Sequence, residues 1–326
     1  MSSPSQKPTP LSSSLDAALR PSEWDDYVGQ EQVKANVRVS IDAAKKRGSM
    51  PEHILFYGPP GVGKTTLAHL IAITLEAPLK TTSGVAIERA GDLAAILTNL
   101  EPNTVLFIDE IHRLSRKIEE LLYPALESGH LDIILGKGPS ARTVELALPS
   151  FTLVGATTRV SELSGPLRSR FGGGIHQLDF YNEDDLRDII RRSGKLLDLS
   201  VPEEVIGRIA ARSRATPRVA NALLKRVRDF SEVRERPLSA AVCDDACELF
   251  GIDAHGLTKD DRRYLETLLK GFRGGPAGVG AIAAALHEDS DTIENIYEPY
   301  LLRLGFIERS LRGRILTQQG RAYLEK

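Results

Sequence analysis

Gly58-Pro59-Pro60-Gly61-Val62-Gly63-Lys64-Thr65-Thr66 is the stretch that decides the fold. It fits the G-x-x-x-x-G-K-[ST] pattern of a phosphate loop; the apolar run 54–57 leads in like a buried strand, and a helical pattern follows from Leu67. The glycines let backbone N–H groups turn towards phosphate oxygens, and the N-terminus of the following helix adds positive partial charge. A glycine-rich turn that arose by chance would not need a strand before it and a helix after it. The stretch therefore predicts a nucleoside triphosphate site, in which Lys64 reaches the phosphates and Thr65 holds Mg²⁺.

Length and composition predict a cytoplasmic globular protein of two or three domains. The chain has 326 residues, of which 41% are hydrophobic and 26% charged, as is ordinary for a globular protein. No apolar run approaches the roughly 20 residues that span a bilayer, so no membrane partner is expected. The net charge of -2 lacks the basic signature of a nucleic-acid binder, so any DNA contact must come from local patches. Cys243 and Cys247 have no nearby His and make a poor zinc site, which favours buried thiols.

Two further apolar runs end in polar residues. The runs 105–108 and 151–154 alternate with helical patterns, which predicts a parallel sheet covered by helices. Ligands bind at the carboxyl ends of such strands, where Asp109, Glu110 and Thr158 would lie. Asp109 suits the shell of Mg²⁺, which takes oxygen ligands, and Glu110 suits a general base that polarises water. An acidic helix cap is the alternative for this pair; the phosphate loop upstream argues against it, because both parts are needed to hold Mg-nucleotide.

Three segments outside this framework have their own predictions. Residues 1–14 are mostly Ser, Pro, Thr, Lys and Gln, and we expect a disordered tail. The alternating stretches 131–135 and 143–148 flank a turn-rich basic segment and predict a β-hairpin, whose tip is either a solvated loop or a partner contact. Arg168 and Arg170 are compatible with surface positions and with a finger that neutralises a transferring phosphoryl group.

The periodicity of the apolar residues predicts two smaller units in the last 145 residues or so. Helical patterns run from 182 to about 250, and Arg218 starts the third helix behind Thr216-Pro217. Residues 256–326 show three helical patterns and a strand pair that turns at Arg312-Gly313, which predicts a winged helix. Arginines at 309, 312 and 314 suit phosphate or minor-groove contact, and protein contact is the alternative use of such a module.

The order of these parts resembles the AAA+ ATPases, and within them the RuvB family of bacterial motors that migrate Holliday junctions. The resemblance extends from about residue 15 to 326, and its motif strings lie at 19–21, 58–68, 107–114, 155–159, 166–172 and 305–309. It implies an α/β fold with an AAA+ parallel-sheet P-loop ATPase domain, a small all-helical lid domain and a C-terminal winged-helix domain. The implied domains are 15–181, 182–253 and 256–326.

The resemblance also implies roles for individual residues. Thr158 is the sensor on the third strand, Arg170 is the finger that reaches a neighbouring subunit's ATP, and Arg218 is the lid sensor. The implied catalytic residues are Lys64, Asp109, Glu110, Thr158, Arg170 and Arg218. The implied ATP contacts are Leu19, Arg20, Gly61, Val62, Gly63, Lys64, Thr65, Thr66, Glu127, Ser128, Gly129, Arg170, Tyr181 and Arg218. Thr65 and Asp109 are the implied Mg²⁺ ligands, and Arg309, Arg312 and Arg314 are the implied DNA contacts. From spacing alone, Leu19 and Arg20 fit packing equally well.

As an assembly, the resemblance implies a homo-hexameric ring around duplex DNA at a four-way junction. RuvA would bind through the 130–148 hairpin, the RuvC resolvase would join a larger complex, and ATP hydrolysis would drive branch migration in recombination and repair. Two alternatives remain: a clamp-loader-like or initiator ATPase that uses ATP as a loading switch, and a binding protein that uses ATP only to assemble. Glu110 argues against the second, and the compact winged helix argues against the first. The chain departs from the family pattern at Ser128-Gly129, Ala215 and Ser290, and by an extra glycine within 172–174.

Overall fold

The computed structural model describes residues 17–135 and 142–325, so the predicted tail at 1–14 and the tip of the predicted hairpin lie outside the described residues. The chain forms two compact units. Of the described residues, the first unit comprises 17–58, 63–135, 142–178 and 195–199, and the second unit comprises 59–62, 179–194 and 200–325. The segment predicted as winged helix and, apart from 195–199, the segment predicted as lid belong to the second unit. The boundary between them near 253–256 stays a prediction.

The strands of the first unit form a parallel sheet and a hairpin. They are β1 Ile54–Tyr57, β2 Leu79–Ser83, β3 Thr104–Asp109, β4 His130–Leu135, β5 Arg142–Ala147, β6 Phe151–Thr157 and β7 Ile175–Gln177. β1, β2, β3, β6 and β7 form the sheet in the order β2-β3-β6-β1-β7, with every pairing parallel. The helices of this unit are Glu31–Arg47, Lys64–Leu75, Ala90–Thr98, Arg116–Ser128 and the short Gly165–Arg168. The predicted α/β class is confirmed.

Burial explains why these runs form a sheet. All seven residues of β6 and the first five of β3 are buried, as expected for strands covered on both faces. β1 lies between β6 and β7, so the strand order reverses beside it, and such a switch point opens a crevice for ligands. Tyr57 pairs with Thr157 and Ile108 with Gly155. The carboxyl ends of β3, β6 and β1 are therefore neighbours at one edge.

The predicted hairpin is present as the antiparallel pair β4–β5. Leu131 pairs with Leu146, and Ile133 pairs with Val144. Leu131 is buried, whereas Val144 and Leu146 are 44% and 37% exposed. Because alternate residues of a strand share a face, the hairpin presents two neighbouring apolar side chains to solvent.

The first half of the second unit is helical, as predicted. Its helices are Glu183–Leu196, Glu203–Arg212, Pro217–Val233 and Ala240–Leu249. Pro217 is the first residue of the third helix, where a missing N–H costs nothing. Cys243 and Cys247 are buried free thiols on the fourth helix, which agrees with the expectation for them.

The second half is a winged helix. Its elements are the helices Lys259–Lys270, Val279–Leu286, Ser290–Thr292, Glu298–Arg303 and Gln318–Leu324, a π-helical turn at Ile293–Tyr297, and the strands β8 Ile307–Ser310 and β9 Gly313–Leu316. Ser310 pairs with Gly313, so the turn is Leu311-Arg312 and the predicted turn at Arg312-Gly313 was wrong by one residue. Gly313 is instead required inside the strand, because a Cβ there would lie 2.2 Å from the Ala277 carbonyl oxygen.

Across the described part of the chain, no helix combines the length and apolarity needed to cross a bilayer.

Candidate functional site

The phosphate loop is shaped by its last glycine and by the lysine behind it. Gly63 has φ 103°, and a Cβ at this position would lie 2.5 Å from the Tyr27 Oη. The Lys64 Nζ donates to the Gly58 carbonyl oxygen at 2.8 Å, and the side chain is only 7% exposed. Thr65 and Thr66 follow in the first turn of the helix that Lys64 begins. The Lys64 ammonium group lies at a helix N-terminus, and the missing Cβ of Gly63 lets a ligand come close to the backbone. Both features fit a bound triphosphate. Sequence reasoning missed Tyr27, whose place opposite Gly63 has no local signal.

The acidic pair at the end of β3 is held by its neighbours. Glu110 has φ 47°, and its N–H donates to the Asp109 Oδ1 at 3.0 Å. The Thr158 hydroxyl at the end of β6 donates to the Glu110 Oε2 at 3.3 Å. A left-handed conformation in a residue other than Gly is strained and is common at functional sites. The sheet thus brings the predicted general base and the predicted sensor into direct contact.

His112 is a further member of this cluster. Its Nδ1 lies 2.8 Å from the Thr157 Oγ1 and 3.2 Å from the Glu110 Oε2. Burial is the main cause that lowers the pKa of His112; the Glu110 and Glu162 carboxylates raise it less. The ring is therefore neutral near pH 7 and packs against Glu110 without adding a charge. The sequence predicts no role for His112.

Arg170 forms a second cluster in the first unit. Its Nη2 pairs with the Glu127 Oε1 at 2.8 Å, its Nη1 donates to the Pro166 carbonyl oxygen at 2.6 Å, and its guanidinium lies 4.3 Å from the centre of the Tyr123 ring. Glu127, Ser128 and the left-handed Gly129 end the helix Arg116–Ser128. The structure therefore places the predicted finger beside the predicted 127–129 contact. Arg168, the other candidate from the sequence, is exposed.

Of the two N-terminal candidates, Leu19 is buried and Arg20 contacts the phosphate-loop helix. Leu19 is 3% exposed. The Arg20 Nη1 lies 2.7 Å from the His69 Nε2, and His69 belongs to the helix Lys64–Leu75. Burial first, and then the Arg20 charge, lower the pKa of His69. Leu19 thus has a packing role, and Arg20 is held close to the nucleotide-binding helix.

In the second unit, the lid sensor contacts a piece of the phosphate loop. The Arg218 N–H donates to the Gly61 carbonyl oxygen at 3.4 Å, and the Arg218 side chain is exposed. Val62 is fully buried. Tyr181 is 3% exposed, and its N–H donates to the Ala215 carbonyl oxygen at 2.9 Å. Gly61, Val62, Tyr181 and Arg218, all predicted ATP contacts, thus belong to one compact unit.

The three wing arginines have different surroundings. The Glu298 carboxylate is fully buried and accepts hydrogen bonds from the Nε and Nη2 of both Arg309 and Arg314, at 2.6–3.2 Å. Arg314 also pairs with Glu294 at 2.6 Å. Arg312 lies exposed in the turn between β8 and β9. The wing strands are therefore anchored by ion pairs, and Arg312 is the member most open to an anion; the pattern of arginines in the sequence did not indicate Glu298.

Comparison with known proteins covers nearly the whole chain. Family models match residues 19–177 as the "Holliday junction DNA helicase RuvB P-loop domain", 181–253 as the "RuvB AAA lid domain" and 254–325 as the "RuvB C-terminal winged helix domain". The chain is 53% identical over 305 residues to the Holliday junction branch migration complex subunit RuvB of Dehalococcoides mccartyi (strain CBDB1), which covers 93% of this chain and 87% of that one.

Solved structures give the same result. The Thermotoga maritima RuvB Holliday junction branch migration motor matches with a TM-score of 0.86 at 45% identity, over 94% of this chain and 98% of that one. A point variant of that motor matches with a TM-score of 0.88 at the same identity and coverage. With a phosphate loop, an acidic pair at the end of β3, a helical lid and a winged helix in the order of the matched models, the chain belongs to the RuvB family of AAA+ ATPases.

Proposed function

We propose that this protein is an ATP-driven DNA translocase that moves the branch point of Holliday junctions in recombination and repair. The observation that carries the proposal is that one chain combines a hydrolytic cluster, Glu110 held by Thr158, with a winged helix that exposes Arg312. A protein that only binds ATP has no need of a positioned general base. A cytoplasmic location follows from the DNA substrate.

The residues of the first unit fit a Mg-ATP site. The Lys64 ammonium group and the N–H groups of the following helical turn would hold the phosphates, and the Thr65 hydroxyl and the Asp109 carboxylate are the oxygen ligands that Mg²⁺ prefers. When bound, Mg²⁺ would neutralise negative charge on the phosphate oxygens. Glu110 would polarise the attacking water, and the hydrogen bond from Thr158 would fix the position of that carboxylate. Arg20, which contacts the helix Lys64–Leu75, would add a further nucleotide contact in this unit. Tyr181 and Arg218 stay proposed ATP contacts of the second unit.

Arg170 supports the proposal of a ring. The contacts of its guanidinium among the described residues are with Glu127, Pro166 and Tyr123, none of which belongs to the phosphate loop. An arginine that neutralises a transferring phosphoryl group must reach the phosphates. We therefore assign Arg170 to the ATP of the adjacent subunit, in a homo-hexamer whose sites are completed by Glu127–Gly129 and Arg170 of the neighbour.

The partners follow from two surfaces. The exposed side chains of Val144 and Leu146 form an apolar patch on the β4–β5 hairpin, which supports a protein contact there, assigned to RuvA. Arg312 at the wing turn, and Arg309 beside it, suit the phosphates of duplex DNA. A larger complex with the RuvC resolvase belongs to the same proposal.

The decisive experiment is ATP-driven conversion of a synthetic four-way junction into duplexes, with and without RuvA. We expect conversion with the wild-type protein, and none with Lys64→Ala or Glu110→Gln. If ATP is hydrolysed and the protein binds the junction but never resolves it into duplexes, the translocase is refuted.

The alternative, a clamp-loader-like or initiator ATPase, predicts a different outcome. ATP binding without hydrolysis would then suffice to load the protein on DNA, and Glu110→Gln would accumulate on DNA and support the full activity. Comparing Glu110→Gln with Lys64→Ala, which should not bind ATP productively, separates the two functions.

A further inference from the structure

We propose that Arg214 is a positioning residue that transmits nucleotide-dependent movement of the lid to the winged helix. The inference rests on the proposed function for its meaning, since it concerns how ATP hydrolysis is coupled to DNA. All of its contacts lie inside the second unit.

Arg214 makes three contacts with the winged helix at once. Its Nη1 donates to the Asp261 Oδ2 at 2.8 Å, its Nη2 donates to the Ile296 carbonyl oxygen at 3.1 Å, and its guanidinium lies 5.1 Å from the centre of the Tyr300 ring. The side chain itself is only 17% exposed. The arginine is thus fixed on two helical segments that are far from it in sequence.

Asp261 makes this contact strong. It is fully buried, and its Oδ2 also accepts hydrogen bonds from the N–H and hydroxyl of Thr258, each at 2.8 Å. Its Oδ1 is buried without a partner among the described residues. A buried carboxylate needs a nearby cation, and Arg214 is the cation that pairs with it. Arg214 therefore cannot move away from the winged helix without leaving that charge uncompensated.

The backbone of Arg214 belongs to the loop that leads to the lid sensor. Arg214 and Ala215 have φ 51° and 55°, and Thr216-Pro217-Arg218 follow. The Ala215 carbonyl oxygen accepts from the Tyr181 N–H, and the Arg218 N–H donates to the Gly61 carbonyl oxygen. Two consecutive left-handed residues other than Gly persist only where the surroundings hold them. This loop therefore connects two predicted ATP contacts, Tyr181 and Gly61, to the Arg214 side chain.

On the other side, the contacts of Arg214 lead to the wing. Ile296 and Tyr300 flank Glu298, the buried carboxylate that holds Arg309 and Arg314. The same helix, Glu298–Arg303, returns to the nucleotide side, where the Arg303 Nη2 donates to the Tyr181 carbonyl oxygen at 3.0 Å. A displacement of the sensor loop is thus carried to the helix that anchors the wing strands.

Arg214→Lys tests this role without removing the charge. Lys has a point charge on a flexible stem, so it can pair with Asp261 but cannot also bind the Ile296 carbonyl and stack on Tyr300. Arg212→Lys is the matched control, because the Arg212 Nη2 pairs with Asp244 at the same 2.8 Å inside the helical lid. Both variants keep the net charge and the phosphate-loop residues.

The first readout is the ATP hydrolysed per junction converted, by the full-length hexamer with RuvA on a synthetic junction. We expect Arg214→Lys to hydrolyse ATP within about twofold of the wild type and to use at least about tenfold more ATP per conversion, a change in coupling equivalent to about 1.4 kcal/mol. Arg212→Lys should keep the wild-type ratio. An unchanged ratio in Arg214→Lys, or an equal rise in both variants, overturns the proposal.

The second readout needs no junction activity: hydrogen exchange of residues 307–316 with and without a non-hydrolysable ATP analogue. We expect the analogue to change exchange in the wild-type wing and in Arg212→Lys, and to leave the wing of Arg214→Lys unchanged while the lid still responds. If wild-type protein fails to convert junctions, the proposed function falls, and this measurement still decides the coupling. If Arg214→Lys does not fold, Asp261→Asn takes its place, because it removes the ion pair that holds Arg214 on the winged helix. A wing response retained in Asp261→Asn overturns the proposal.

Discussion

Replacing Arg314 by alanine should destabilise the winged helix as well as weaken DNA binding. Glu298 accepts two hydrogen bonds from Arg314, two from Arg309 and one from Tyr264. Each hydrogen bond to a charged group contributes about 1.5–3 kcal/mol. Arg314→Ala removes two such bonds, but Arg309 still compensates the buried charge. We therefore expect a loss of about 3 kcal/mol, at the low end of the roughly 3–5 kcal/mol typical of breaking a buried pair completely. At roughly 2–4 °C per kcal/mol, the melting temperature of the second unit should fall by about 6–12 °C.

Arg312→Ala is the matched control, since it removes the same charge from the exposed turn. Its stability should stay within about 0.5 kcal/mol of the wild type, and its duplex binding should lose about one unit of salt slope. Scanning calorimetry and duplex affinity at several salt concentrations measure the two effects. If Arg314→Ala melts with the wild-type protein and loses only DNA binding, the structural role derived for Arg314 is refuted.

Three further predictions follow from the ATP site. Glu110→Gln should lower ATP turnover by about 10²–10⁴ with nucleotide binding retained. Thr158→Val removes the hydrogen bond to Glu110 and should lower turnover without changing the affinity for ATP. Normal turnover in both variants would show that Glu110 is not the general base. Arg170→Ala should lower ATP turnover of the assembled ring by about 10³–10⁵. Mixing it with Lys64→Ala subunits should restore part of the activity, because the Arg170→Ala subunit supplies an intact phosphate loop and the Lys64→Ala subunit supplies the arginine finger. No recovery would contradict action between subunits. Burial lowers the pKa of His112 below its ordinary 6.5, so the unfolded chain binds more protons at this residue than the folded chain does. The stability that depends on neutral His112 is therefore complete above pH 6.5, and it is lost as the pH falls from 6.5 through the lower pKa of the folded state. Urea unfolding between pH about 7.5 and about 5.5 should therefore show a smaller loss for His112→Asn than for the wild type, and identical losses would contradict the assignment.

Local patterns were enough to predict the fold and to predict that Glu110 and Thr158 meet at one edge of the sheet. Three features each carry their signal within about ten residues: the phosphate loop, the strand that leads to Asp109-Glu110, and the threonines at the end of β6. The rule that ligands bind at the carboxyl ends of parallel strands brings them together. The same holds for the start of the lid helix at Pro217, because proline at the first position of a helix has a local cause. The turn of the wing was misplaced by one residue, since the approach of Gly313 to Ala277, far away in sequence, decides it.

Contacts between distant residues had no such signal. Tyr27 lies against Gly63, and Tyr123 and Glu127 hold Arg170, although nothing in their own surroundings in the sequence marks them. Each depends on how helices pack on the sheet.

By itself, the sequence determined which groups are available for ATP chemistry and in what order the parts of the chain occur, because strands, helices and phosphate loops are specified by neighbouring residues. Only the tertiary structure decided how those groups are engaged. The wing arginines, equivalent in sequence, divide into two that bind the buried Glu298 carboxylate and one, Arg312, that lies in the turn between the wing strands. Arg214 finds Asp261 47 residues away. In both cases burial is the physical reason, since a carboxylate removed from water must bind a cation wherever the fold supplies one.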